Sequence, residues 1–464
     1  DLDEAIEADD PQGALSALRA HGARHRGTRT AVDTILLQAP RLMELAPERA
    51  LALLAEAYTD APAGPDQDRV LVALAAQLEA RWDWTGLAAL TTTQARRNPL
   101  RVDTVALAAP RARVQLAVGD TERAAQTLEA MGDDAGARLA RAMGHAAAAP
   151  EGLTFHRPLD WDGDGRADIA AHHQAGLRVH ALAPGLPLVA HLPIGPTDDT
   201  DHVHLLPDRR LVHWSDGVLR LIDASGPAPE VLVERESSAA LTAAATDLDG
   251  DGHDEVYVGL GPYERRLLVA DLAAPELRFD DAHAATTAAG SDVNQVLPVS
   301  ADGREQLWAT VGPWRAYDVR RYARTAGPME LLERHRLGYV SHLQLLDDGR
   351  VAALHSEEYG SRVALDPAEP YGPVAGVYVL GPESTDVQDV LPWRGPEARL
   401  ASIHEADLDG DGRLDWVITA RHEGDPSLVI HLASDDGFRD PFVVAGFLVV
   451  ATAQLDDDPA DELV

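Results

Sequence analysis

One nine-residue phrase occurs three times in this chain: DWDGDGRAD over 160–168, DLDGDGHDE over 247–255 and DLDGDGRLD over 407–415. In each, acidic side chains fall at positions 1, 3, 5 and 9, and glycine falls at positions 4 and 6. Alternate carboxylates on a tight loop converge on one point, and glycine permits the sharp turn that brings them there. Carboxylates so crowded repel one another unless a cation lies among them. The oxygen-only donor set suits a hard ion such as Ca2+. The candidate ligands are Asp160, Asp162, Asp164 and Asp168; Asp247, Asp249, Asp251 and Glu255; and Asp407, Asp409, Asp411 and Asp415. The backbone carbonyls at position 7, of Arg166, His253 and Arg413, are expected to supply a further oxygen. Three structural Ca2+ sites are thus expected, one in each phrase.

The residues after each phrase separate two ways of building such a loop. An EF-hand needs a bidentate acid at position 12 and a helix on either side. Position 12 here is Ala171, Val258 or Ile418, none of which binds a metal. The segments after the phrase, such as Val256-Tyr257-Val258 and Trp416-Val417-Ile418, are β-branched and aromatic and read as strands. The ion is therefore expected in a turn that opens a strand, with the ninth residue as last ligand.

The stretch from Thr246 to Pro262 resembles an FG-GAP repeat, and Ala406 to Thr419 resembles its bacterial relative, the VCBS repeat. The resemblance implies an integrin-α-like β-propeller in which the calcium loop joins the first two strands of a blade. The phrases start 87 and 160 residues apart, and a four-stranded blade takes roughly 40–50 residues. Those gaps hold two blades and then three long ones. The intervening text breaks into short strand-like runs, among them His202–Leu206, Leu211–Trp214, Val218–Ile222 and Val231–Glu234. Two turns, Ser300–Glu305 and Asp347–Arg350, read as decayed loops with too few carboxylates for a good site. A seventh copy begins near 446. It keeps Asp456, Asp458 and Glu462 as a weak metal site, and the chain stops inside its second strand. The expectation is about seven blades, the last incomplete, in a fragment of a longer protein.

Residues 1–145 are different: rich in Ala and Leu at helical spacing. Turn-and-helix-start signals recur at Asp10, Ala46, Asp83 and Asp120, at intervals of 36, 37 and 37 residues. Asp or Pro followed by an acid suits a helix N-terminus. The period, and the text from Gln115 to Ala130, resemble tetratricopeptide-type helical hairpins, although most of the usual aromatic positions are missing. The fold class expected is therefore α then β: helical hairpin repeats over 1–145, a small-residue linker over 146–152, and a propeller over 153–464.

Composition narrows the function. The net charge is −36, and all 40 basic residues are Arg, which makes nucleic acid a poor partner. There is no cysteine, so disulfides, zinc–thiolate clusters and thiol chemistry are excluded. No apolar run reaches membrane length; the longest, near Val443 to Ala453, is too short. The Lys-free, Ala- and Asp-rich style suits a bacterial chain. No Gly-x-Ser-x-Gly elbow or His-Glu-x-x-His pair occurs. His202 and His204 share one strand face, and His156 and His404 lie shortly before metal loops.

The expected role is a non-catalytic, Ca2+-stabilised binding, adhesion or receptor-sensor module outside the cytoplasm, with a protein or glycan as ligand. The alternative is a carbohydrate-active propeller enzyme, a lyase or glycosidase, with those histidines gathered in its channel.

Overall fold

The structure is a computed structural model. It describes residues 10–62, 64–97, 105–144, 158–173, 175–194, 202–261, 266–282, 292–301, 303–312, 318–325, 327–335, 337, 340–356, 375–393, 395–396, 398–422, 424–435, 437–449, 451–453 and 461–464. Chain contacts divide it into a helical unit, Asp1–Arg141, and a β unit comprising Ala142–Trp393 and Glu397–Val464.

The helical unit consists, among the described residues, of α1 (Pro11–Arg24), α2 (Arg29–Leu45), α3 (Pro47–Asp60), α4 (Pro65–Ala80), α5 (Trp84–Arg97), α6 (Val105–Ala117), α7 (Thr121–Ala130) and α8 (Asp134–Gly144). Helices α1, α3, α5 and α7 each begin one residue after the periodic signals at Asp10, Ala46, Asp83 and Asp120. The Asp10 carboxylate accepts the amides of Gln12 and Gly13, and Asp83 accepts that of Gly86, so these two acids cap orphan N–H groups. At Ala46 the start is set by Pro47 at N1 instead. Four residues after each signal stand Ala14, Ala50, Leu87 and Ala124, all with 0% exposure. The period is thus a packing period: one fully buried side chain per hairpin. Arg19–Glu56 and Arg69–Asp33, both 2.6 Å, tie positions one repeat apart on the surface.

The β unit is a propeller of six blades, not the seven or so that spacing suggested. Blades two to six are four-stranded antiparallel sheets. Their first strands are His202–Leu206, Ala239–Thr246, Val293–Ala301, Val340–Leu345 and Arg399–Ala406. Blade one shows Asp168–His173, Gly176–Ala181 and Leu188–Leu192, with Leu159 bridged to Asp168 where a preceding strand would end. The segment expected to open a seventh blade forms a two-stranded sheet, Thr452–Ala453 with Glu462–Leu463. It lies between blade six and blade one. The Thr452 hydroxyl donates to the Glu405 carbonyl (3.1 Å), while Ala451 and Val464 pack on Ile169 and Leu182. Strands this short carry little independent stability, so the hairpin depends on the two blades beside it.

Burial falls outward within a blade because the middle strands are covered by neighbours on both faces. Glu255–Gly261 is buried at every residue, whereas the outer strand Glu330–His335 is mostly exposed and charged. The apolar cores lie between blades. Trp161 and Leu177 pack with Val203 and Leu211 between blades one and two; Trp308 and Val319 pack with Val351 and Tyr378 between blades four and five.

The first strands are also stitched to one another by polar side chains. His204 Nε2 meets the Ala240 carbonyl at 2.9 Å, and the Thr242 hydroxyl accepts the Val296 amide at 3.1 Å. Gln295 grips both the carbonyl (2.7 Å) and the amide of Leu343, and Ser341 donates to the Leu400 carbonyl. A first strand facing a channel has backbone groups that no further strand can satisfy, and these contacts satisfy some of them. Gln295→Ala removes both bonds to Leu343 and is expected to destabilise the propeller by about 1–3 kcal/mol. Urea unfolding followed by near-UV circular dichroism measures it, and an unchanged midpoint would refute the stitch.

Candidate metal centres

The three phrases fold into similar loops; the second and third join the first and second strands of their blades, and the first leads into Asp168–His173. The glycines at positions 4 and 6 hold positive φ, between 69° and 91° in all three loops, a region costly for any residue with a Cβ. Position 1 organises the turn. Asp160 accepts the amides of Gly163 (2.8 Å) and Gly165 (3.0 Å), and Asp247 those of Gly250 (2.8 Å), Asp251 (3.0 Å) and Gly252 (2.9 Å). Asp407 accepts those of Asp411 (3.0 Å) and Gly412 (2.8 Å). Position 9 closes the loop by accepting the amide of position 2. The pairs Trp161–Asp168, Leu248–Glu255 and Leu408–Asp415 are each 3.0 Å long. Position 2 is a buried apolar anchor in all three loops. Trp161 also donates from Nε1 to the Arg210 carbonyl of blade two (2.9 Å).

Carboxylate oxygens of Asp160, Asp162 and Asp168 lie within 4.8 Å of one another, as do those of Asp407, Asp409 and Asp415. In the second loop the group is Asp247, Asp249 and Asp251. Asp164, Asp411 and Glu255 therefore stand outside the gathered sets. Asp164 and Asp411 accept the amides of Arg166 and Arg413 (both 2.9 Å), and Asp251 accepts that of His253 (2.8 Å). The carboxylates of Asp456 and Asp458, and the side chain of Glu462, lie outside the described residues. Their neighbour Asp461 is described, and it forms a reciprocal pair with the third loop. Its carboxylate accepts the Asp407 amide and its own amide donates to the Asp407 carbonyl, both at 2.8 Å. Spacing gave no sign of this, because Asp461 copies no ligand position.

Asp168, Glu255 and Asp415 are each only 1% exposed. Burial pushes the Asp168 carboxyl up to about 6, aided by the nearby charges of Asp162 and Asp164 and opposed by the Trp161 amide. Burial likewise pushes Asp415 up to about 7 against the amides of Ala433 and Leu408. Glu255 is raised too, again chiefly by burial. A buried carboxylate with neighbours of like charge is stabilised by a proton or by a counter-charge. Among the described residues, basic side chains reach Asp162 (Arg209, 3.3 Å) and Asp411 (Arg413, 3.6 Å), but neither Asp168 nor Asp415. The first and third loops fit a divalent cation, with Asp160, Asp162 and Asp168, and Asp407, Asp409 and Asp415, as its holders.

The two shortened turns link neighbouring blades. Glu305 accepts the Thr246 hydroxyl (3.3 Å) at the foot of the second loop, and the Asp347 amide donates to Glu405 (2.7 Å).

A cavity of about 420 Å³ opens where the first strands of blades two to five meet, bordered by His204, Thr242, Asn294, Gln295, Ser341 and His342. Of the histidines singled out from sequence, His204 borders it; His202 stacks edge-on against Trp214 at 5.5 Å, and His156 lies outside the described residues. Among the described residues, no helix is long and apolar enough to cross a membrane.

No family model matches the chain, and no curated protein matches it. Solved structures do. A 6-phosphogluconolactonase candidate from Bacteroides uniformis has a TM-score of 0.41 at 11% identity, over 65% of this chain and 88% of the other. The WD40 domain of SCAP from fission yeast has a TM-score of 0.39 at 6% identity, over 68% and 79%. Chaetomium thermophilum Sqt1, bound to the N-terminus of ribosomal protein L10, has 0.41 at 11%, over 67% and 82%. The functional reading therefore rests on this chain's own residues.

Burial lowers His204 and His404 to about 4, so both are neutral in the folded ring. Their folded values lie below the unfolded value of about 6.5. Their contribution to stability is therefore full above pH ~6.5 and is lost as pH falls towards ~4. The His204→Gln, His404→Gln double variant is expected to lose stability less steeply than wild type over that window, in urea midpoints measured in EDTA. Parallel pH profiles would refute it.

Proposed function

We propose that this chain is a non-catalytic, Ca2+-stabilised propeller of the FG-GAP/VCBS type, preceded by tetratricopeptide-like hairpins over 1–145. It acts as a binding module outside the cytoplasm for a protein or glycan. One observation carries the reading: Asp168 and Asp415 are buried, grouped with further carboxylates, and reached by no basic side chain among the described residues.

Asp160, Asp162 and Asp168, with Asp407, Asp409 and Asp415, would hold the ion. Bound Ca2+ neutralises charge that the fold otherwise leaves uncompensated. The chain's own residues pre-form the loop through the amide bonds at positions 1 and 9, so binding costs little further ordering. Extracellular modules hold Ca2+ with Kd of about 10⁻⁴–10⁻³ M, which external Ca2+ fills and cytosolic Ca2+ does not. At ~1 mM Ca2+ a Kd of ~10⁻⁴ M stabilises the folded state by about 1.4 kcal/mol per site. A rigid ring then presents loops from every blade, and loops are where binding surfaces are usually built.

The raised carboxyls set the pH dependence. Without metal, the contribution of Asp168 and Asp415 is full below about pH 4 and is lost as pH rises through about 6 to 7. Ca2+ needs the ionised forms, so its stabilising effect grows over the same range. Melting with and without EDTA is expected to show a larger Ca2+-induced rise in Tm at pH 8 than at pH 5.5. An unchanged Tm in EDTA, with no heat of Ca2+ binding in calorimetry, overturns the reading.

A further inference from the structure

The second loop departs from the other two in one respect. Its ninth residue is Glu255, and the guanidinium of Arg324 lies 3.0 Å from it and 3.8 Å from Asp249 at position 3. Arg324 follows the third strand of blade four, Asp318–Ala323, and crosses to blade three to reach the loop. It is only 13% exposed. Glu255 is fully engaged: Oε1 faces Arg324, while Oε2 accepts the Leu248 amide (3.0 Å) and the Tyr257 hydroxyl (3.2 Å). This explains why the gathered oxygens of this loop belong to positions 1, 3 and 5, whereas those of the other two include position 9.

From this geometry we infer that Arg324 is a tethered cation that replaces the metal in the second loop, so that this loop is clamped without Ca2+ while the first and third need it. The inference rests on the proposed metal reading and sharpens it: phrases of the same acidic spacing are not equivalent sites. A guanidinium keeps its charge at any pH at which the protein folds. Placed against positions 3 and 9, it supplies the counter-charge that a divalent ion would otherwise bring, and it repels that ion. It also joins blade three to blade four.

The arginines near the other loops do not have this arrangement. The Arg209 side chain is 45% exposed and pairs, among the described residues, with Asp162 at position 3 and not with the ninth residue. Arg413 is 44% exposed and spends its other nitrogen on Asp435, at 2.6 Å. Both can turn to solvent and leave the ninth carboxylate to the ion. Affinity for Ca2+ is therefore ordered, with the second loop at least ~10-fold weaker than the other two.

Calcium titration of the full chain by calorimetry separates the possibilities. The expected result is about two sites per chain in wild type and about three in Arg324→Gln, with the new site abolished by adding Asp247→Asn. Asp247→Asn alone is expected to leave the wild-type count unchanged, whereas Asp407→Asn lowers it by one. Three equivalent sites in wild type, or a count that falls with Asp247→Asn alone, overturn the inference and leave the metal reading standing. No binding at all overturns the metal reading and the inference with it. Should Arg324→Gln fail to fold, the Asp247→Asn and Asp407→Asn titrations decide the matter alone.

Discussion

A carboxylate held inside a protein with no counter-charge is unstable on its own, and the architecture of this propeller answers that problem in the loops at 160–168, 247–255 and 407–415. The ninth residue of each phrase closes the loop by accepting the amide of the second, and that contact carries it into the interior. Closure and burial are thus one event. The loop cannot adopt its shape without creating a buried charge, and the charge must then be neutralised by a proton, a metal or an arginine. With Ca2+ proposed for the first and third loops and Arg324 for the second, the chain uses two of these answers, and the raised carboxyls record the third.

The same loops also join blades. Trp161 carries the first loop into blade two, Arg324 carries blade four into the second, and Asp461 ties the terminal hairpin to the third. The shortened turns at 300–305 and 347–350 also link blades, through the Glu305 carboxylate to Thr246 and the Asp347 amide to Glu405. Beneath this layer lie the apolar cores between blades, and on the channel side lie the stitches of His204, Thr242, Gln295 and Ser341. Neighbouring blades are therefore joined by three kinds of contact at different depths, which suits a ring whose blades share their cores.

Much of this was legible in the chain itself. Helical hairpins announced their starts through Asp10, Ala46, Asp83 and Asp120, because capping and close packing impose residue types at fixed offsets. Strands were visible around each loop for the same local reason. The blade count was not: Gln454 to Val464 copies the start of a repeat, yet two strands of two residues do not make a blade. A local phrase records how a turn begins, not how many strands are built upon it. Histidines noted for a possible channel proved unequal too, since a strand pattern gives the face of His204 but not which neighbour it meets.

By itself the sequence determined the elements that depend on neighbours along the chain: the helical period, the strand-opening turns, the glycines with positive φ, and carboxylates spaced to converge. Only the tertiary structure decided how many blades there are, that Glu255 is claimed by Arg324, and that Asp461 braces Asp407. Those contacts join residues far apart in sequence, where no periodicity constrains the partner. A buried charge accepts whichever cation the fold brings to it, and that choice is made in space rather than along the chain.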